Sequence, residues 1–210
     1  GNLEDQAAPM GDWDPAALSL ADRWIISRQH RLTQEVTQLI EDYQYGEAGR
    51  RIYEFLWSEY CDWYIEISKT RLYAEDEAAK AVTRHVLVYT LERTLRLLHP
   101  YMPFLTEELW QALPHEGDAL IIAPWPQAEA LDEAAEEQMG LLMELIRAIR
   151  NARAEYEVEP GRRIAAIIAA GARHGLLESQ RIELVALARI DETKLTITEA
   201  LAEKPAKALT

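Results

Sequence analysis

Cysteine is nearly missing from this chain: Cys61 stands alone among 210 residues. An internal disulfide is excluded, and because Cys61 lies within an aromatic cluster, a buried and inert thiol is the expected role. Apolar runs are short as well. None approaches about 18 residues, so no membrane-spanning helix is legible, and the opening Gly1-Asn-Leu-Glu-Asp5 is acidic where a secretory leader is basic. A cytosolic protein is expected. The spacings that carry common chemistries are also missing: no His-Glu-x-x-His, no Glu-x-x-His of di-iron bundles, no Gly-x-Gly-x-x-Gly, no Walker loop and no Cys-x-x-Cys. The five histidines, His30, His85, His99, His115 and His174, are scattered and read as structural or surface residues. These residues are therefore expected to hold no catalytic group, no metal and no cofactor.

Positive charge is scarce. A net charge of -14 weighs against a nucleic-acid partner, since Lys and Arg neutralising phosphates supply most of the non-specific affinity. Its distribution softens that objection. Residues 113–143 carry seven acidic groups and residues 1–18 carry four, with no Lys or Arg in either, so the rest of the helical region is closer to balance. Of the 22 basic residues 17 are Arg, whose planar fork suits phosphate and stacks on bases.

What is present is a helical pattern with 49% apolar residues, enough for a substantial core. Residues 1–18, with Pro9, Gly11 and Pro15, read as a linker that Trp13 could pin to the body. Ser19 and Asp22 form a capping-box pair, and Ile25, Leu32, Val36, Leu39 and Tyr43 recur on one face through to Gly46. From Glu47 to about Leu72 apolar and aromatic residues cover more than half the circumference, so that helix is expected to be central, with Glu59 paired to an Arg. A third helix is expected over Glu77 to Leu98. Then His99-Pro-Tyr-Met-Pro-Phe-Leu-Thr-Glu-Glu-Leu-Trp110 breaks one helix at Pro100 and starts the next at Pro103. Its large apolar groups are expected to lock several helices together.

In the loop from Leu113 to Leu131, Ala119 to Ala123 reads as an extended segment laid across the bundle. A helix from about Asp132 to Glu157 follows, with Leu142, Leu145, Ile146, Ile149, Ala152 and Tyr156 inward. Beyond Pro160-Gly161 the pattern changes to a strand over Arg163 to Ala170, a helix over Leu176 to Leu187 and a strand over Lys194 to Thr198. The fold class is mainly α: an antiparallel helical bundle followed by a small β-α-β piece. The expected divisions are a linker over 1–18, the helical domain over 19–158 and a truncated α/β piece over 159–210.

The elbow wording His99-Pro-x-Met-Pro-Phe-x-Thr-Glu-Glu-Leu-Trp110 resembles the anticodon-binding domain of class I aminoacyl-tRNA synthetases for branched aliphatic amino acids, most closely the valyl branch. Leu20 to Arg28, Tyr53 to Glu66, Ala123-Pro-Trp-Pro126 and Ile146 to Glu155 resemble it in the same order, so the likeness runs from about residue 19 to 165. Cys61-Asp-Trp-Tyr64 favours the valyl form over isoleucyl or leucyl relatives. Neither adenylation motif is present: Ile67-Ser-Lys-Thr70 lacks the leading Lys-Met of the ATP-binding loop, and no His-x-Gly-His occurs. The resemblance implies a bundle of the class I anticodon-binding type that holds a valine-specific tRNA for a catalytic region outside these residues, which uses ATP. Residues 1–18 are then a linker from that region, and this stretch alone is expected to be inactive, cytoplasmic and monomeric. The alternatives are an isoleucyl or leucyl relative, or a helical interaction module with no RNA partner.

Reading single-stranded bases needs cations interleaved with aromatic faces. Arg50 and Arg51, then Lys69 and Arg71, flank Trp57, Trp63 and Tyr64, and these seven form the first expected tRNA-binding set. Large aromatics on a central helix are more often core than platforms, and Glu47, Glu54 or Glu59 could absorb the Arg pair. Arg147 and Arg150 form a second expected patch, while Arg153 projects inward and is expected to meet a buried carboxylate. Arg23, Arg28 and Arg31 fit a solvated face equally well.

Overall fold

The structure, a computed structural model, describes residues 13–200. Most of the linker expected over 1–18 lies outside the described residues. The chain divides into two compact units, Gly1–Glu136 and Glu137–Thr210.

The first unit is a helical bundle. Helix α1, Leu20–Glu41, begins at a capping box in which Ser19 and Asp22 satisfy each other's backbone donors, as their spacing predicts. It ends before Tyr43, whose positive φ of 60° puts it in the left-handed region; the Tyr43 ring is exposed, not on the inner face expected of it. Helix α2, Tyr45–Glu54, runs into eleven residues of wider π-helical turns, Phe55–Ile65, and then into α3, Glu66–Leu72. The run is helical throughout, as expected, but its middle is not α-helical. The π turns bury Phe55, Tyr60, Trp63 and Tyr64, and the Tyr60 hydroxyl donates to the Leu87 carbonyl at 3.0 Å. Helix α4, Glu77–Leu98, has the boundaries its pattern predicts and packs against α1, α2, α3 and α5. Trp13 pins its segment by edge contacts to His85 and Tyr89, with ring centres 5.2 and 4.9 Å away.

The elbow departs from expectation. Pro103 opens α5, Pro103–Gln111, and Thr106 and Trp110 point inward, with the Trp110 indole donating to Glu92 at 2.7 Å. Trp110 packs with Leu95 and Leu120. Met102, Leu105 and Leu109 are instead about half exposed and Phe104 is 91% exposed, so among the described residues these four are not core. The Leu120–Ile122 segment is a single 3-10 turn, not an extended strip, and buries only Leu120.

Helix α6, Glu133–Glu155, starts in the first unit and continues into the second. Tyr156, expected inward, lies beyond its end and is half exposed. The second unit adds strand β1, Ile164–Ala169, helices α7, His174–Ser179, and α8, Arg181–Ala188, and strand β2, Ile190–Thr198. The strands pair in parallel, with Ala166 opposite Leu195 and Ile168 opposite Ile197, so the expected β-α-β piece forms. Leu177, Leu184, Ala188, Ile190, Leu195 and Ile197 are buried in it. The described part is mainly helical, and none of its helices is long and apolar enough to cross a membrane.

Candidate nucleic-acid interface

The first expected set separates by what each side chain already does. Asp22 is fully buried, and a carboxylate there needs several donors. It receives Ser19 N–H at 2.8 Å, Ser19 Oγ at 2.7 Å, the Tyr64 hydroxyl at 2.6 Å and a nitrogen of Arg71. Tyr64 is fully buried, and burial together with the Asp22 charge drives its hydroxyl well above the usual tyrosine range. Tyr64 and Arg71 therefore complete a core network. Trp63 is buried too, so neither Trp63 nor Tyr64 can offer a face to a base as expected of them. Both project from the π turns onto the packed side.

Trp57 is the exception. It is 52% exposed, and its ring lies 6.2 Å from that of Tyr53, which is also exposed. Arg50 sits one and two turns earlier on the same run. Its Nε donates to Glu47 at 2.8 Å and its two terminal nitrogens reach Glu47 and Glu54, carboxylates three residues before and four after it. Arg51 Nε donates to Glu47 at 3.1 Å, and Lys69 to Glu66 at 2.5 Å. The Arg50 hydrogen bond holds the Glu47 carboxyl below its ordinary range, with Arg51 adding to the effect. These cations are exposed but neutralised in place.

The same holds across the first unit. Arg28 grips Glu59 through two nitrogens at 2.7 and 2.8 Å, the Arg partner expected for that buried-side carboxylate. Arg28 and Arg31 share Glu136 at 3.4 and 3.0 Å, Ser27 donates to Glu136 at 2.5 Å, and Arg23 holds Asp132 at 2.9 Å. These three arginines are thus a buttress from α1 to the π turns and the start of α6, not a solvated face. Arg93 donates to Gln29 and the Gln127 carbonyl, Arg96 to Glu92 and the Pro124 carbonyl, and Lys80 to Glu77. Ten of the eleven Lys and Arg side chains in residues 1–136 donate to a carboxylate or carbonyl oxygen.

In the second unit Arg147 and Arg150 are both exposed on α6, and Arg150 Nε donates to the Leu187 carbonyl at 3.0 Å. Arg153 is buried as expected, but its acceptors are the main-chain carbonyls of Glu159, Arg162 and Arg189, not a carboxylate. A five-donor guanidinium satisfies several convergent carbonyls at once, and a turn at Glu157, with φ 51°, brings two of them round. Residues 137–210 hold eleven acidic and eleven basic groups, so the whole net charge of -14 falls in residues 1–136.

Sequence reasoning missed Tyr53, although its place four residues before Trp57 on a helical run marks a shared face. Arrayed this way, the α2 run offers half-exposed rings beside shielded cations. Such a surface can stack bases while attracting phosphate only weakly.

Comparison with known proteins agrees with the elbow wording. Residues 22–168 match the family described as the anticodon-binding domain of tRNA ligase. The chain is 52% identical over 152 residues to the valine–tRNA ligase of Geobacillus stearothermophilus, covering 71% of this chain and 17% of that protein. It is 49% identical over 148 residues to that of Bacillus subtilis (strain 168), 70% and 17%, and 44% identical over 190 residues to that of Anoxybacillus flavithermus (strain DSM 21510 / WK1), 89% and 22%. The chain thus spans about a fifth of the length of the curated relatives it matches.

Proposed function

This chain belongs to the anticodon-binding domain family of tRNA ligases, and from that premise we propose that it is the part of a valine–tRNA ligase that engages the anticodon of valine-specific tRNA. The family match over 22–168, beside relatives named as valine–tRNA ligases, carries this reading. The bundle holds the tRNA while a catalytic region outside this chain activates valine with ATP and transfers it. The chain alone catalyses nothing, is monomeric and works in the cytoplasm.

Within it, Trp57 is the stacking face, and Arg50, Arg51 and Lys69 hold phosphates by exchanging their intrahelical carboxylates for the backbone. Arg147 and Arg150 add contacts from α6. Trp63, Tyr64 and Arg71 support this surface from beneath. Trp57→Ala is expected to weaken binding of a valine anticodon stem-loop by about 1–3 kcal/mol, the worth of one base stacked on an aromatic ring. Unchanged affinity removes Trp57 from the interface. A second reading, a helical interaction module without RNA, is favoured by the net charge of -14; it predicts that no tRNA binds at moderate salt.

A further inference from the structure

The π turns are the least ordinary element of the bundle. Such turns are rare and mostly single, and here they extend over eleven residues. Relaxing even one of them to α-helix would rotate the side chains beyond it, because the two forms differ in residues per turn. The roll of this run sets the aim of Trp57. It also sets the angle between Arg50 and Arg51, which precede the turns on α2, and Lys69, which follows them on α3.

On the packed side Phe55, Tyr60, Trp63 and Tyr64 hold the run. On its other flank the holding group is Glu59, two residues past Trp57. Residues two apart on a helical run do not share a face, and Glu59 is turned to α1. There Arg28 takes both of its oxygens, Nε donating to Oε2 at 2.7 Å and Nη2 to Oε1 at 2.8 Å. A planar fork on a carboxylate fixes orientation as well as distance, which a single ammonium does not. The fork is itself set in place. Arg28 Nη1 reaches Glu136 at 3.4 Å, and Glu136 is held by Ser27 Oγ at 2.5 Å and Arg31 Nε at 3.0 Å. Every member of this set lies in the first compact unit.

We propose that Arg28, through its two-point grip on Glu59, is a positioning residue for anticodon binding: it fixes the rotation of the π turns and so aims the Trp57 ring at the base. Arg28 itself touches no RNA in this arrangement. The proposal rests on the reading of Trp57 as the stacking face.

The test is a double-mutant cycle on the 210-residue chain, read as affinity for a valine anticodon stem-loop at one salt concentration. Arg28→Lys keeps the positive charge beside Glu59 and Glu136 but loses the fork. It is expected to weaken binding about fivefold, within the range of coupling between residues of one network. In the Trp57→Ala background the same change is expected to cost less than about twofold, the scatter of independent sites. Glu59→Gln breaks the grip from the other side and carries the test if Arg28→Lys does not fold. It removes a negative charge, so a purely electrostatic role predicts tighter RNA binding, whereas lost positioning predicts weaker binding that again vanishes in Trp57→Ala. Equal losses in both backgrounds, no loss in either, or tighter binding by Glu59→Gln overturn the proposal. Trp57→Ala alone binding as tightly as wild type is a separate result: it removes the reading beneath the proposal, and the proposal with it.

Discussion

Asp22 shows how far one residue constrains its neighbours. Its carboxylate caps the start of α1, fixes the Tyr64 hydroxyl and takes a nitrogen of Arg71, so its removal leaves a half-buried guanidinium and a buried hydroxyl unpaired. Asp22→Ala is expected to cost about 3–5 kcal/mol in urea denaturation, against about 1 kcal/mol for Tyr64→Phe, which deletes one hydrogen bond and leaves the ion pair. A similar cost for both variants would show that the network has no such centre. His30 makes a pH prediction. Its Nδ1 accepts the Glu129 N–H at 2.7 Å, leaving Nε2–H for the Tyr89 hydroxyl at 2.9 Å, so the ring is held neutral; burial and the nearby Arg93 lower its pKa below 6.5. The folded state thus binds this proton less readily than the unfolded chain. Its contribution is complete above pH 6.5 and fades as pH falls below that. Thermal midpoints are expected to drop between pH 7 and 5.5, and less steeply in His30→Gln. NMR titration of the His30 ring above 6.5 would contradict this. The Ser19–Asp22 box was legible because three-residue capping is local. The Tyr64 and Arg71 partners lie 42 and 49 residues away, where no spacing rule reaches.

Among the elements, α4 has the boundaries its pattern implies, because a capping Asp76 and Pro100 bracket it. The π turns were not legible. In eleven residues carrying Phe, Trp and Tyr on most sides, a wider helical period leaves no distinct signature. The elbow taught the opposite lesson. Its apolar wording predicts burial, yet Phe104, Leu105 and Leu109 are exposed while Trp110 is buried, because composition does not say which side of a short helix faces the bundle. Where α2 meets the elbow, Gly49 leaves room for the Tyr101 ring, which would stand 3.2 Å from an added Cβ, while the Tyr101 hydroxyl donates to the Tyr45 carbonyl at 2.7 Å. Gly49→Leu is expected to expel that ring and cost about 1–3 kcal/mol. Equal stability of Gly49→Leu and wild type would refute the close fit. Arg153→Met, which strips three carbonyls of their donor, is expected to lower the stability of the second unit by about 2–3 kcal/mol. Amide exchange around Glu159 and Arg189 reports it.

At the scale of the whole molecule, charge sets the manner of binding. The first unit carries the full net charge of -14, and ten of its eleven cations are engaged, so it gains little from counterion release. The logarithm of affinity for tRNA is expected to fall with the logarithm of salt at a slope no steeper than about -3.5, roughly five phosphates neutralised by Arg50, Arg51, Lys69, Arg147 and Arg150. Discrimination then comes from bases more than from backbone. The measurement that tests this most directly is binding of this chain to valine-specific tRNA, beside the same tRNA with its second and third anticodon bases changed, across a salt series. The account predicts several-fold weaker binding to the altered tRNA at every salt concentration. Equal affinity for both would contradict it, and would reduce the domain to a contact with the RNA backbone.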